Sequence, residues 1–151
     1  MAILSADMQR VVTEQKLGFA ATVSPDGTPN LSPKGTTAVW DDEHLVFLDI
    51  HSPQTTINLR TNPRIEINVV DVVLRKGYRF KGIARVLSAG AEFDAIAAFY
   101  RKRGSTSPYS HIVLSRVESA ASLTSPAYDD GRGEAEVSAQ WLAYWDELHG
   151  R

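Results

Sequence analysis

Thr28-Pro29-Asn30-Leu31-Ser32-Pro33-Lys34-Gly35 and, further on, Asp49-Ile50-His51-Ser52-Pro53-Gln54-Thr55-Thr56-Ile57-Asn58-Leu59-Arg60-Thr61-Asn62-Pro63 frame the stretch on which the fold turns. Residues 28–63 read as two β-strands followed by a short helix. Ser52 stands where a helix N-cap belongs and Pro53 where the first helical residue belongs. Gln54, Thr55 and Thr56 then bring polar side chains and free backbone N–H groups to one point. Those groups, together with the helix dipole, favour a phosphate. Lys34, on the preceding strand, adds a formal positive charge. The alternative is an ordinary capped surface helix.

Working outward, Leu17-Gly18-Phe19-Ala20-Ala21-Thr22-Val23 is a short apolar run that ends at Ser24-Pro25-Asp26-Gly27. The Asp-Gly pair supplies the positive-φ positions of a tight hairpin. A second strand over 29–40 and a third over 45–50 flank the polar turn Asp41–His44, so the three make an antiparallel meander with the apolar third strand central. Residues 5–16 read as a helix capped by Ser5, with Met8, Val11 and Val12 on one face. The helix at 53–60 stops at Asn62-Pro63, because proline disfavours a helical residue before it.

Ile65–Val70 alternates as a half-buried strand does. In 75–87, Tyr78, Phe80, Ala84 and Val86 share one parity; Arg79, Lys81, Ile83 and Arg85 share the other and make a cationic face. That face is either a solvated outer surface or a wall facing an anion. A helix over 91–103 carries Phe93, Ile96, Ala97 and Tyr100 on one stripe and ends in Arg101-Lys102-Arg103 before Gly104, as the dipole favours. A strand over 109–117, a loop over 127–133 and a helix over 134–149 complete the chain. The last helix presents Val137, Trp141, Tyr144, Trp145 and Leu148, a face suited to core packing, a ligand lid or a dimer seam.

Composition narrows the chemistry. With 151 residues and no internal linker, the chain is expected to be one domain. The absence of cysteine removes disulfides, thiol catalysis and thiolate metal sites. A net charge of −2 argues against a broad nucleic-acid surface. The N-terminal residues lack a basic start and a long apolar run, so a soluble, cytoplasmic protein without a membrane span is expected. The four histidines show no metal-site spacing, and no P-loop, dinucleotide fingerprint or nucleophile elbow occurs. No acid–base pair is singled out, which fits chemistry borrowed from a cofactor.

The order Leu-Gly-Phe-Ala-Ala-Thr-Val, Asp-Gly, Pro-Asn-Leu-Ser-Pro-Lys-Gly, Leu-Val-Phe-Leu-Asp and Ser-Pro-x-Thr-x-x-Asn-Leu-Arg-x-Asn-Pro resembles the pyridoxamine 5′-phosphate oxidase-like family. The resemblance is strongest over residues 8–87, and Thr124–Tyr128 resembles one subgroup. It implies an α+β fold: a six-stranded antiparallel split β-barrel with peripheral helices, forming a homodimer with FMN in the clefts between subunits. By the same resemblance Ser32, Pro33, Lys34, Gly35, Thr36 and Thr37 line the flavin. Leu48 and Asp49 approach its ring, Ser52, Thr55 and Thr56 hold the phosphate, and Lys76 and Arg79 approach near the dimer seam.

Many members carry a basic residue where this chain has Thr55, so the positive charge falls to Lys34, Lys76, Arg79 and Lys81. The Arg-x-His-type C-terminal motif of the true vitamin B6 oxidases is not evident, which argues against pyridoxamine phosphate as substrate. The expected activity is an FMN-dependent oxidoreductase acting on a small molecule with no catalytic side chain. The alternatives are a flavin carrier, or the same barrel holding F420 or haem.

Overall fold

A computed structural model describes residues 2–51 and 53–151. Helix α1 (Ala6–Gln15) starts where expected: the Ser5 hydroxyl accepts the Met8 N–H, and Val11 and Val12 are buried. Strands β1 (Gly18–Val23) and β2 (Pro29–Lys34) form a hairpin. Its turn differs in detail from the expectation. Only Gly27 has positive φ, 86°, while the Asp26 carboxylate accepts the Thr28 N–H at 3.0 Å. With Gly27 N–H bonded to the Ser24 carbonyl, this is a longer loop ending in a left-handed glycine.

The expected strand over 29–40 is two strands. β2 ends at Lys34, and β3 (Ala38–Val39) pairs with β4 (His44–Asp49) instead of β1. Seven strands therefore stand in place of six, in the order β2-β1-β5-β6-β7-β4-β3, with β5 (Arg64–Asp71), β6 (Lys76–Leu87) and β7 (His111–Thr124). The expected meander survives only as a bent middle strand whose two halves serve opposite edges of the sheet. The third expected strand, β4, lies one place in from an edge and pairs with β7.

This link dictates the curl. Residues 35–37 can span at most about 14 Å between Lys34 and Ala38. A flat sheet would hold its outermost strands roughly 29 Å apart. The sheet must roll into an antiparallel half-barrel, a split barrel with helices outside it. β7 runs to Thr124, beyond the Val117 expected, because it pairs with the whole length of β6 across a bulge at Lys81/Gly82.

The apolar run of β4 is buried on both faces. Leu45 and Phe47 join Val12, Ile67, Val69, Phe80 and Val113 in one core. Val46 and Leu48 join Ile112, Leu114 and the stripe Ile96, Ala97 and Tyr100 of α3 (Ala91–Lys102) in a second core. Each fully buried large side chain contributes roughly 1.5–3 kcal/mol.

Helix α2 (Pro53–Thr61) and helix α4 (Glu134–Leu148) lie close to the expected bounds. A short 3₁₀ turn, Pro126–Tyr128, interrupts the loop expected over 127–133. On α4 Val137 is fully buried, but Tyr144 and Leu148 are exposed, so the expected face is only partly covered. No helix among the described residues is long and apolar enough to cross a membrane.

Candidate functional site

α2 is held by its polar face. Asn58 is fully buried, donates to Thr22 Oγ1 at 3.0 Å and accepts from Gln54 Nε2 at 2.7 Å, fixing the start of the helix against β1. Beside it lies a cavity of about 310 Å³ lined by Asn30, Ser32, His51, Gln54 and Thr55, with Leu31 and Ile57 at its apolar margin. The two threonines of the expected phosphate turn are unlike. Thr56 Oγ1 donates to the Pro53 carbonyl at 3.0 Å and is spent on the helix itself. Thr55 is buried, yet its hydroxyl has no hydrogen-bond partner among the described residues. A buried unpaired hydroxyl is costly, and here the residue that carries it lines a cavity at a helix start. Ser52, the expected cap, lies outside the described residues.

Strand parity sorts the β2 candidates. Asn30, Ser32 and Lys34 turn inward, whereas Pro29, Leu31 and Pro33 face outward. Pro33 is therefore set on the outer apolar face, opposite Phe19, and not with Lys34. Lys34 is 5% exposed, its Nζ 5.4 Å from the centroid of the Phe47 ring. Burial pushes the Lys34 ammonium below the ordinary lysine range, and the negative charge of Asp49 works against that shift. Asp49 is buried at the end of β4, 3.8 Å from His111 Nδ1.

The link Gly35–Thr37 is stitched down by its own hydroxyls. Thr37 Oγ1 donates to the Lys34 carbonyl at 2.7 Å, and Thr36 Oγ1 accepts the Leu48 N–H at 2.9 Å. The Tyr100 hydroxyl donates to the Thr36 carbonyl at 2.6 Å and lies 3.2 Å from the Val46 carbonyl, and burial raises its pKa well above 10.0. Thr36, Thr37 and the Leu48 N–H are thus used to hold the link, which is not part of the lining of the cavity beside Thr55; nor are Lys34, Leu48 and Asp49. Leu48's side chain belongs to the second core. Gly35 stays open, since a Cβ there would meet nothing within 4 Å.

Lys76 and Arg79 do not join this cavity in the same chain. Lys76 Nζ is 3.0 Å from Glu134 Oε1 and 4.4 Å from the Tyr128 ring, and it lines a separate cavity with Asp7, Arg10 and Tyr78. Glu66 serves both Arg79, at 3.3 Å, and Lys81, at 3.7 Å, while Glu92 holds Arg85 at 2.8 Å. The cationic face of β6 is therefore largely neutralised, which favours the solvated reading. Two residues that line the first cavity, Asn30 and His51, were not singled out in the sequence. The inward parity of β2 marks Asn30; nothing in the local pattern marks His51.

The pyridoxamine 5′-phosphate oxidase family model matches residues 4–124. HupZ of Group A Streptococcus is 32% identical, over 80% of this chain and 94% of that one, with a TM-score of 0.72. An FMN-binding protein from Syntrophomonas wolfei shares the fold at 14% identity, 78% and 84% coverage and a TM-score of 0.66. HutZ, described as the haem storage protein of Vibrio cholerae, does so at 20%, 80% and 94%, with a TM-score of 0.60. No curated protein matches the chain. A match that runs from before α1 to the end of β7, on a sheet curled as the bent second strand requires, means that this chain belongs to the pyridoxamine 5′-phosphate oxidase-like family of FMN-binding split-barrel proteins.

Proposed function

We propose that the protein is an FMN-dependent oxidoreductase acting on a small molecule, working as a homodimer. The observation that carries this reading is the buried Thr55 hydroxyl at the start of α2, unpartnered among the described residues, on a residue that lines a cavity suited to a phosphate. Thr55 Oγ1 and the first N–H groups of α2 hold the phosphate, with Gln54 and Ser32 around it. Bound FMN supplies the hydride-transfer chemistry. The pinned link Gly35–Thr37 offers a rigid wall with an open surface at Gly35, and the buried Lys34 places positive charge beneath it. Support for the dimer comes from the family and from the outer face of β1 and β2, where Phe19 and Leu31 are exposed.

A second reading, haem binding without catalysis, has in its favour the fold of HutZ and the exposed His51 at the cavity, an imidazole that would bind the iron. It makes no use of Thr55. Titration of the purified protein with FMN, F420 and haemin, followed by absorbance, separates the readings. Saturable FMN binding whose visible bands bleach with NADH or NADPH is the expected result. FMN that binds but is never reduced means a carrier. Haemin or F420 binding with no FMN binding overturns the proposal.

A further inference from the structure

A second cavity, of about 230 Å³, opens at the link Gly35–Thr37. Lys16, Ala38, Tyr100, Arg103, Gly104 and Ser105 complete its lining. It differs from the first in charge: two cations and no carboxylate line it, whereas no lysine or arginine lines the cavity beside Thr55. Neither Lys16 nor Arg103 makes an ion pair among the described residues, whereas eight of the other lysine and arginine side chains do.

Both cations follow a helix C-terminus, and the dipole alone is one explanation for them. The backbone already covers those ends, however. Lys16 N–H caps the Val12 carbonyl; Arg103, Gly104 and Ser105 N–H groups take the carbonyls of Phe99, Tyr100 and Arg101. Gly104, at φ 82°, makes that return possible. The side chains are released from capping. The Arg103 guanidinium is steadied over the Phe99 ring at 4.2 Å, so it is a positioned charge and not a free one.

We infer that this cavity receives an oxyanion, a carboxylate or a phosphate, belonging to the substrate. The inference rests on the FMN reading, because the link Gly35–Thr37 that lines this cavity is the stretch which that reading places along the flavin. Arg103 and Lys16 supply charge-assisted hydrogen bonds, and Ser105 supplies a neutral donor. The substrate is then a small anionic molecule bound by its charged end, with its reacting carbon toward the link.

The test uses inorganic phosphate as probe, followed by amide chemical shifts of the full chain with and without saturating FMN. The expected result is that phosphate shifts residues 16, 35–38 and 103–105 whether or not FMN is bound. Lys16→Ala with Arg103→Ala should weaken phosphate about tenfold or more while leaving FMN affinity unchanged. Arg103→Lys should restore part of it and guards against a loss of folding. Phosphate shifts confined to the start of α2, shifts indifferent to both substitutions, or an equal loss of FMN affinity would each overturn the inference. If wild-type protein binds phosphate here but never FMN, the cofactor reading fails and the anion site stands.

Discussion

Thr55→Val tests the cofactor site most sharply, because the structure requires stability and binding to move in opposite directions. Valine keeps the shape and removes one oxygen. In the free protein that oxygen is buried without a partner among the described residues, a state that costs about 1–3 kcal/mol. The variant should therefore be more stable, by roughly 2–4 °C in Tm for each kcal/mol in a chain of this size. Under the FMN proposal, the same hydroxyl would donate to a charged phosphate. Losing such a bond costs about 1.5–3 kcal/mol, or roughly 10- to 150-fold in Kd. Thr56→Val is the control: its hydroxyl already serves the Pro53 carbonyl, so stability should fall by about 1 kcal/mol and FMN affinity should hold. Thermal melts and flavin fluorescence quenching read both quantities. A Thr55→Val protein that is less stable, with unchanged FMN affinity, would refute the assignment of this hydroxyl to a ligand.

Gly82→Ala places a Cβ 2.0 Å from the Arg116 carbonyl at the β6–β7 bulge, so urea unfolding should show a loss above about 3 kcal/mol or no folded protein. Tyr100→Phe removes the donor to the Thr36 carbonyl and should cost about 1–2 kcal/mol, read in the same assay. Because burial raises the Tyr100 pKa above 10.0, its contribution is complete below that pH and is lost as pH rises further. In a spectrophotometric titration Tyr100 should ionise only as the protein unfolds, and the variant should lose less stability above pH 10.0 than the wild type. Finally, FMN affinity should depend weakly on salt, since no lysine or arginine lines the cradle beside Thr55 and buried Lys34 is poorly screened; a steep salt dependence would place exposed cations on the phosphate.

The helices and the apolar strands were legible because their signals are local. Ser5 before a 3.6-residue pattern marks α1, and Asn62-Pro63 marks the end of α2. The break of the second strand was not legible, since Gly35-Thr36-Thr37 carries no proline and its threonines suit a strand. What bends it is tertiary: the carbonyl of Thr36 is claimed by Tyr100, 64 residues away, and its hydroxyl by Leu48. The same distance effect hid which threonine is free. Thr55 and Thr56 look alike in sequence, and only the helix geometry uses up the second. The cationic parity of β6 was correct, but its counter-charges, Glu66 on β5 and Glu92 on α3, come from other elements.

The distribution of charge follows from these placements. An FMN phosphate would meet neutral donors at α2, in a site where the family often has a basic residue and this chain has Thr55. Such a site holds its anion by geometry and dipole, and is weaker for it. Lys34 cannot move to compensate, because it is enclosed beside Phe47 and faces Asp49. Two cations outside any ion pair, Lys16 and Arg103, stand instead at the far cavity, beside the link. The neutral cavity beside Thr55, proposed for the cofactor's anion, and the charged one at residues 35–37, proposed for the substrate's, share no described lining residue. A molecule without a negative group gains nothing at Lys16 and Arg103, so selection among substrates would rest on that end of the link and not on the flavin face.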